Sequence, residues 1–314
     1  MRASSKQQSI VVINPTARGN QGMRLWKTIS LFVREKFDFQ ELVTDSGLIW
    51  KQTVAQQVKN GVRTFIAAGG DGTVNELLNT IIESKCGVPL EEFTIGAIGL
   101  GSSNDFHKPL GTCLQDLAVK LDFSKRQPRD VCRVIYTSET GTSKTRYFTV
   151  SGSIGIAAEA NLFFNDGDWL LRRFKKSHSH AAIAYAALRT IFRYRNTVAT
   201  IRIDGKKLET KVTSLSLLKT PYLSGSFRFD TPASPENGKL TVNLCEGLNL
   251  PRTLGLLLDL RSGRYLGKPG RWHWMSSNVE IETKKPVALE MDGEIVTSTS
   301  ARVDIFSERI FECR

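Results

Sequence analysis

The 314-residue chain carries 43 Lys and Arg against 31 Asp and Glu, a formal net charge of +12, which suits an anionic partner such as a nucleotide, a nucleic acid or an anionic membrane and chooses among none of them. Its length favours about two domains with substantial cores. Five scattered cysteines with no C-x-x-C pair give no disulfide framework and no zinc site, and fit a reducing compartment. The most apolar stretch, residues 254–260, is interrupted by Gly255 and Asp259 and falls far short of the ~20 residues needed to span a bilayer. Residues 10–13 behind Arg2 and Lys6 are too brief for a signal-peptide core. The expectation is a cytoplasmic protein, peripheral at most at a membrane.

In chain order, residues 10–13 read as a buried strand ending in Asn14-Pro15-Thr16-Ala17-Arg18-Gly19, after which Leu25, Ile29, Phe32 and Val33 repeat at helical spacing. Residues 39–44 are a second strand, 50–60 a second helix and 64–68 a third strand. That strand empties into Gly69-Gly70-Asp71-Gly72-Thr73, and Val74, Leu77, Leu78, Ile81 and Ile82 then mark a helix. Glycines at a helix N-terminus let bare N–H groups face an anion. Asp71 would repel a lone phosphate, so the expected ligand is a phosphate accompanied by a cation. Residues 93–98 form a fourth strand that opens into Gly99-Leu100-Gly101-Ser102-Ser103-Asn104-Asp105-Phe106. Strands alternating with helices predict a parallel sheet, and ligands of such sheets bind beyond the carboxyl ends of the strands. Asn14, Thr44, the loop at 69–73, Ser102 and Asn104 should therefore converge.

After Lys120 the period changes to short strand-like runs at 129–136, 147–150, 200–203, 208–212, 240–244, 279–283, 287–291 and 301–306. Asp204-Gly205 is a two-residue hairpin signal and Glu139-Thr140-Gly141 another turn. One helix interrupts them, with Ala184, Ala187, Leu188, Ile191 and Phe192 at helical spacing. The fold expected is an α/β N-terminal nucleotide-binding domain with a parallel sheet over residues 1–128, followed by a mainly antiparallel β domain over 129–314. Residues 172–195 hold seven Lys and Arg and no acidic residue, behind Phe163-Phe164 and Trp169-Leu170-Leu171. That segment suits an anionic membrane surface, and its His178 and His180 read as part of a solvated basic face rather than as metal ligands. A Walker A loop is absent, since the nearest approach at 263–269 is one residue short and has Pro where a hydroxyl is needed. Asn104 replaces the third glycine of a dinucleotide fingerprint, and Ser151-Gly152-Ser153-Ile154-Gly155 lacks the first glycine of a nucleophile elbow.

Asn14-Pro15-Thr16, Gly-Gly-Asp-Gly-Thr-x-Asn-Glu at 69–76 and Gly101-Ser102-Ser103-Asn104-Asp105-Phe106, in this order and spacing, resemble the diacylglycerol kinase catalytic family, which includes bacterial lipid kinases and sphingosine kinases. Gly155-Ile156-Ala157-Ala158-Glu159-Ala160, the helix at 185–194, the stretch at 232–240 and Met291-Asp292-Gly293-Glu294 also look like family segments, so the likeness covers nearly the whole chain. It implies ATP-dependent phosphorylation of a lipid hydroxyl, with Mg²⁺, in a cleft between the nucleotide domain and a C-terminal β-sandwich whose turn at 292–294 faces that cleft. It further implies nucleotide contacts at Asn14, Thr16, Thr44, Gly69, Gly70, Asp71, Gly72, Thr73, Asn75, Ser102, Asn104 and Glu294, with Asp292 as proton acceptor. A lipid substrate, an anionic membrane and a homodimer are the partners it suggests, with no nucleic acid. An NAD kinase-like enzyme, which usually carries its Asn-Glu pair much further along, and a catalytically silent lipid- or nucleotide-binding protein are the alternatives.

Two departures stand out. Related bacterial enzymes often have further Asp residues in the region of 232–238, where a structural Mg²⁺ is held, but this chain has Pro232-Ala233-Ser234-Pro235-Glu236-Asn237-Gly238. Where the family commonly has Asn-Gly, this chain has Lys219-Thr220-Pro221-Tyr222.

Overall fold

The computed structural model describes residues 9–45, 48–177 and 179–314, with side chains at 176–180 left out, so that His178 and the side chains of Lys176 and His180 lie outside the described residues. The chain divides into two units, Met1–Arg129 with Glu308–Arg314, and Asp130–Ser307. The seven-residue return at the C-terminus thus belongs to the first unit.

In that unit β1 (Ser9–Ile13), β2 (Phe39–Val43), β3 (Thr64–Gly69) and β4 (Thr94–Gly99) pair in parallel in the order β2-β1-β3-β4. β1, β3 and β4 are buried at every position, as apolar strands covered on both faces must be, whereas edge strand β2 is buried at Phe39 alone. The crossovers are α1 (Gly22–Lys36), α2 (Ile49–Lys59) and α3 (Asp71–Ser84). Of the expected stripe Leu25, Ile29, Phe32 and Val33, Ile29 and Val33 are buried and Leu25 packs partly buried on the core, whereas Phe32 is exposed and Gly22 and Trp26 complete the buried face. The Trp26 ring meets Phe39 edge-on at 5.8 Å, and so large a side chain sets which way the helix rolls. Strand β5 (Leu117–Lys120) runs antiparallel to β4.

Phe311 and Glu312 pair in parallel with Thr94 and Ile95, which carries Glu312 into the interior. There its carboxylate accepts Arg129 at 2.5 Å, Lys120 at 3.2 Å and Gln127 at 2.6 Å. Burial works to raise the Glu312 pKa, but the Arg129 and Lys120 charges hold it below the ordinary value. The Arg129 and Lys120 cations also lie over the Phe106 ring, at 4.6 and 5.1 Å.

The second unit is mainly antiparallel. β6 (Gln127–Thr137) pairs with β7 (Ser143–Phe148), and β8 (Ser151–Gly155) leads into α4 (Ile156–Asp166), α5 (Trp169–Ser177) and α6 (Ser179–Arg193). β9 (Thr197–Ile203) turns through Asp204 and Gly205, at φ 46° and 84°, into β10 (Lys206–Leu218), the two-residue geometry that Asp-Gly favours. β11 (Leu240–Glu246), α7 (Leu250–Arg261), β12 (Arg271–Ser276), β13 (Asn278–Met291) and β14 (Glu294–Glu312) follow. β13 is one strand where the apolar pattern reads two, because its register with β14 shifts between Glu282 and Val287. Ile154, Ile201, Val212, Leu215, Leu217, Val242, Leu244, Leu289 and Met291 share one core. Helix α6 buries Ala182, Ala186 and Ile191; of the residues expected at helical spacing Ile191 is buried, whereas Ala184, Leu188 and Phe192 are exposed, so the packing face is rolled toward Ala182 and Ala186. Leu171 of α5, with Phe163, Phe164, Phe174 and Tyr185 around it, fixes that face.

His107 supplies a pH test of the first unit. Burial, reinforced by the Lys120 charge, pushes its pKa down from 6.5 to about 4. Between those values the unfolded chain takes up a proton that the folded chain refuses, so stability is full above the unfolded value and falls as the pH drops towards 4. The expected loss is about 3 kcal/mol. In urea titrations at about pH 7 and about pH 4.5, His107→Gln should lose markedly less stability than wild type across this window.

Candidate functional site

The parallel register aligns the strand ends that carry the candidate nucleotide residues. Ile13 stands opposite Val43 and Ala68, and Ala68 opposite Ile98, so Asn14, Thr44, Gly69–Gly70 and Leu100–Gly101 leave the sheet side by side. Helix α3 starts at Asp71 with Gly70 as its N-cap residue, which places the positive end of its dipole at this edge.

Side chains tie these loops together. Asn14 Nδ2 donates to Thr73 Oγ1 at 3.1 Å, and Asn14 Oδ1 accepts the Thr16 N–H and hydroxyl at 3.0 and 2.9 Å. Asn104, at φ 52°, donates through Nδ2 to the Gly101 carbonyl at 3.0 Å and accepts the Gly101 N–H at 3.1 Å. Asp71 accepts the main-chain N–H groups of Asp105 at 3.0 Å and Phe106 at 2.8 Å, one on each carboxylate oxygen. The Asp71 carboxylate thereby braces the third and fourth strand-end loops. Gly69 O accepts Leu100 and Gly101 N–H, and a Cβ on Gly101 would stand 2.4 Å from Gly70 Cα. Two backbones pass here with no space for a side chain.

The other candidates separate into surface and interior. Gly70, Asp71, Gly72, Ser102, Asn104, Asn14 and Thr44 are partly exposed and Thr16 is exposed, while the Thr44 N–H is held by Ile13 O at 2.8 Å. Thr73 is 6 % exposed and Asn75 fully buried. Asn75 takes the Asn79 amide on its own side-chain oxygen at 3.1 Å, within α3. Arg18 was not anticipated: its Nε and Nη2 donate to Gly101 O at 3.1 and 2.9 Å. Its place in the first strand-end loop was the available signal. Toward an anion this edge can offer the main chain at the start of α3, with Ser102, Thr44 and the Arg18 guanidinium partly exposed nearby.

In the second unit Asp292 and Gly293, at φ 49° and 93°, form the two-residue turn between β13 and β14, with Met291 opposite Glu294. Glu294 is partly exposed. Asp292 is 2 % exposed, and its carboxylate accepts the main-chain N–H groups of Thr149, Val150 and Ser151 at 2.8, 2.9 and 2.8 Å. The turn residue Asp292 thus carries a buried carboxylate that ties the β13–β14 turn to residues 149–151. Glu290 accepts the Ser153 hydroxyl at 2.8 Å and the Gly293 N–H at 2.7 Å, so a second carboxylate fixes the turn from beneath. It sits two residues before Asp292 on the strand, the period-2 spacing that could have flagged it.

The chain is similar to known proteins along nearly its whole length. Residues 8–140 match the diacylglycerol kinase catalytic domain, and residues 151–310 the YegS C-terminal NAD kinase beta sandwich-like domain. YtlR of Bacillus subtilis (strain 168) is 21% identical over 93% of this chain and 94% of its own, and the diacylglycerol kinase of the same strain is 24% identical over 90% and 88%. A crystal structure described as a diacylglycerol kinase from Bacillus anthracis str. Sterne aligns over 99% of this chain and 98% of that one with a TM-score of 0.64 at 17% identity, a likeness of fold.

Substitutions separate a brace from a metal ligand at Asp71. Asp71→Ala leaves the Asp105 and Phe106 N–H groups without their acceptor, and should cost about 1–3 kcal/mol of stability with no nucleotide or metal present. A residue that acted only on a metal would leave urea midpoints of the nucleotide-free protein unchanged. Gly101→Ala should weaken nucleotide binding in calorimetry at least as much as Asp71→Ala does.

Proposed function

The chain belongs to the diacylglycerol kinase family of lipid kinases, and from that premise we propose how it moves the γ-phosphoryl group of ATP to a lipid hydroxyl. The observation that carries the reading is the alignment of four strand ends with the N-terminus of α3, which makes a main-chain cradle for phosphates at one edge of the parallel sheet. In this reading Gly70, Gly72 and the first turn of α3 receive the phosphates. Asn14, Asp71, Thr73 and Asn104 keep the cradle in shape, and Thr16, Thr44 and Ser102 border it.

Phosphoryl transfer asks a protein for placement and charge compensation more than for covalent help. The acceptor oxygen forms its bond to the γ-phosphorus as the bond to the β,γ-bridging oxygen breaks, ADP leaves, and the hydroxyl proton needs an acceptor. We assign that proton to Asp292, whose carboxylate is held by three main-chain donors and a tight turn, and we place Glu294 on the nucleotide side. Mg²⁺ would enter as a companion of the nucleotide, held chiefly by its phosphates and waters. Among the described residues no group of three or more His, Cys, Asp or Glu converges, and Mg²⁺ ordinarily takes one or two carboxylates and completes its shell with phosphates and waters. When bound it neutralises charge on the phosphates.

Asp292→Asn should lower turnover by ~10²–10⁴, the range of a positioned acid or base. The check is a kinase assay on extracted lipids with mass detection of the product, alongside a thermal melt to register the cost of weakening the contacts to 149–151. Wild-type turnover in a folded Asp292→Asn would overturn the assignment.

Access to a lipid hydroxyl implies contact with a surface. No helix among the described residues is long and apolar enough to cross a membrane. Helix α5 presents Trp169, 72 % exposed, with exposed Arg172 and Arg173, an apolar anchor beside cations. Each cation near an anionic surface contributes on the order of 1 kcal/mol. Wild type should co-sediment with anionic vesicles at low salt and be released at high salt, and a variant combining Trp169→Ala, Arg172→Gln and Arg173→Gln should remain in the supernatant.

A further inference from the structure

In the second unit, Lys219 directly follows β10 and is fully buried. Its ammonium donates to three oxygens of three kinds: the Asp130 carboxylate at 2.8 Å, the Asn237 side-chain carbonyl at 3.0 Å and the Lys239 main-chain carbonyl at 2.7 Å. An ammonium has three N–H donors, and all three are met. The same Asp130 oxygen accepts the Gly238 N–H at 2.6 Å, and the Asp130 N–H donates to Pro235 O at 2.7 Å. The loop through residues 235–239 is therefore wrapped around one positive charge and one negative charge from the body of the unit.

A carboxylate, an amide carbonyl and a main-chain carbonyl are the donor types that a hard divalent cation collects. This is also the loop where the family resemblance implies further Asp residues and a structural Mg²⁺. The residues present here do not fit that ion. The acidic residue in the stretch, Glu236, is exposed, and the point where the oxygens converge is taken by nitrogen at hydrogen-bond distances, longer than the roughly 2.0–2.6 Å of Mg²⁺ or Ca²⁺ coordination.

We propose that the Lys219 ammonium is a resident cation that does for this loop what a structural divalent ion does elsewhere, so that the second unit folds and holds its catalytic turn without metal. The connection to that turn is direct. The Lys219 N–H donates to Val150 O at 2.9 Å, and the N–H of Val150 is one of the three that hold Asp292. The charge that shapes the 235–239 loop and the strand end that orients the proton acceptor share one residue. Any Mg²⁺ requirement of turnover then belongs to the nucleotide, and none to the fold.

The test is thermal and needs no kinase assay, so its failure is distinguishable from failure of the reaction assigned above. Melts of the nucleotide-free full chain in EDTA and in millimolar MgCl₂ or CaCl₂ should agree within about 1 °C, since an ion that binds no folded site shifts no midpoint. Lys219→Met, which keeps an unbranched side chain only one atom shorter and removes the charge, strands the Asp130 carboxylate and should lower the midpoint by roughly 6–20 °C. Lys219→Met combined with Asp130→Asn removes both charges and should recover at least half of that loss. A wild-type midpoint that falls by several degrees in EDTA and returns with Mg²⁺ would overturn the proposal, as would a Lys219→Met chain as stable as wild type. If Lys219→Met yields no folded protein, the chelator arm and the double variant still decide.

Discussion

The nucleotide side of this kinase depends on a carboxylate that accepts two amide hydrogens. Asp71 binds the N–H groups of Asp105 and Phe106, and through them the helix that begins at the third strand holds the loop that leaves the fourth. Without that link the two loops would be joined at this edge chiefly by main-chain contacts of Gly69 with Leu100 and Gly101. The link is short because Gly70 and Gly101 allow their backbones to pass within van der Waals reach. Phe106, once placed, lies under Arg129 and Lys120, whose charges meet at Glu312. The strand-end loops at the surface are thereby continuous with a buried ionic cluster, and the C-terminal return of the chain takes part in it.

The second unit solves its own positioning problem in the same way. Asp292 is fixed by three consecutive amide hydrogens, Glu290 closes the turn from beneath, and Asp130 with Lys219 anchors the neighbouring loop. Hydrogen bonds to charged groups contribute about 1.5–3 kcal/mol each, more than neutral ones. A carboxylate that gathers several amides can therefore hold irregular backbone in place where no sheet ladder is available. Every such carboxylate here is acceptor-only when ionised, which suits it to clustered N–H groups at turns and helix starts.

Family membership and geometry bear on different questions. The matched domains identify a lipid kinase, whereas the contacts show how this chain keeps its loops in shape. Asp71, Asn14, Thr73 and Asn104 spend their side chains on one another and on main chain. Asn75 lies inside its helix. A residue can be part of a signature because it contacts a ligand or because it builds what contacts the ligand, and only coordinates separate the two.

Much was legible in the sequence because it is written in local chemistry. Apolar runs ending in glycine and polar residues marked the strand ends, helical spacing after Thr73 marked α3, and Asp-Gly pairs at 204–205 and 292–293 marked turns that need positive φ. Helix α7, whose Asn249 side chain caps Arg252 N–H, went unread among the strand-like runs although Asn249 and Pro251 are a helix-start signal. Tertiary structure decided the roll of α1 on Trp26 and of α6 on Ala182 and Ala186, because an amphipathic helix offers more than one apolar edge and its neighbours choose. It also decided every long-range partner. Arg129 finds Glu312 at a separation of 183 residues, Asp292 finds Ser151 at 141, and Lys219 finds Asp130 at 89. Periodicity records which way a residue faces along its own segment. It holds no record of what another segment will place opposite, since that follows from strand register and from the path of the chain between them.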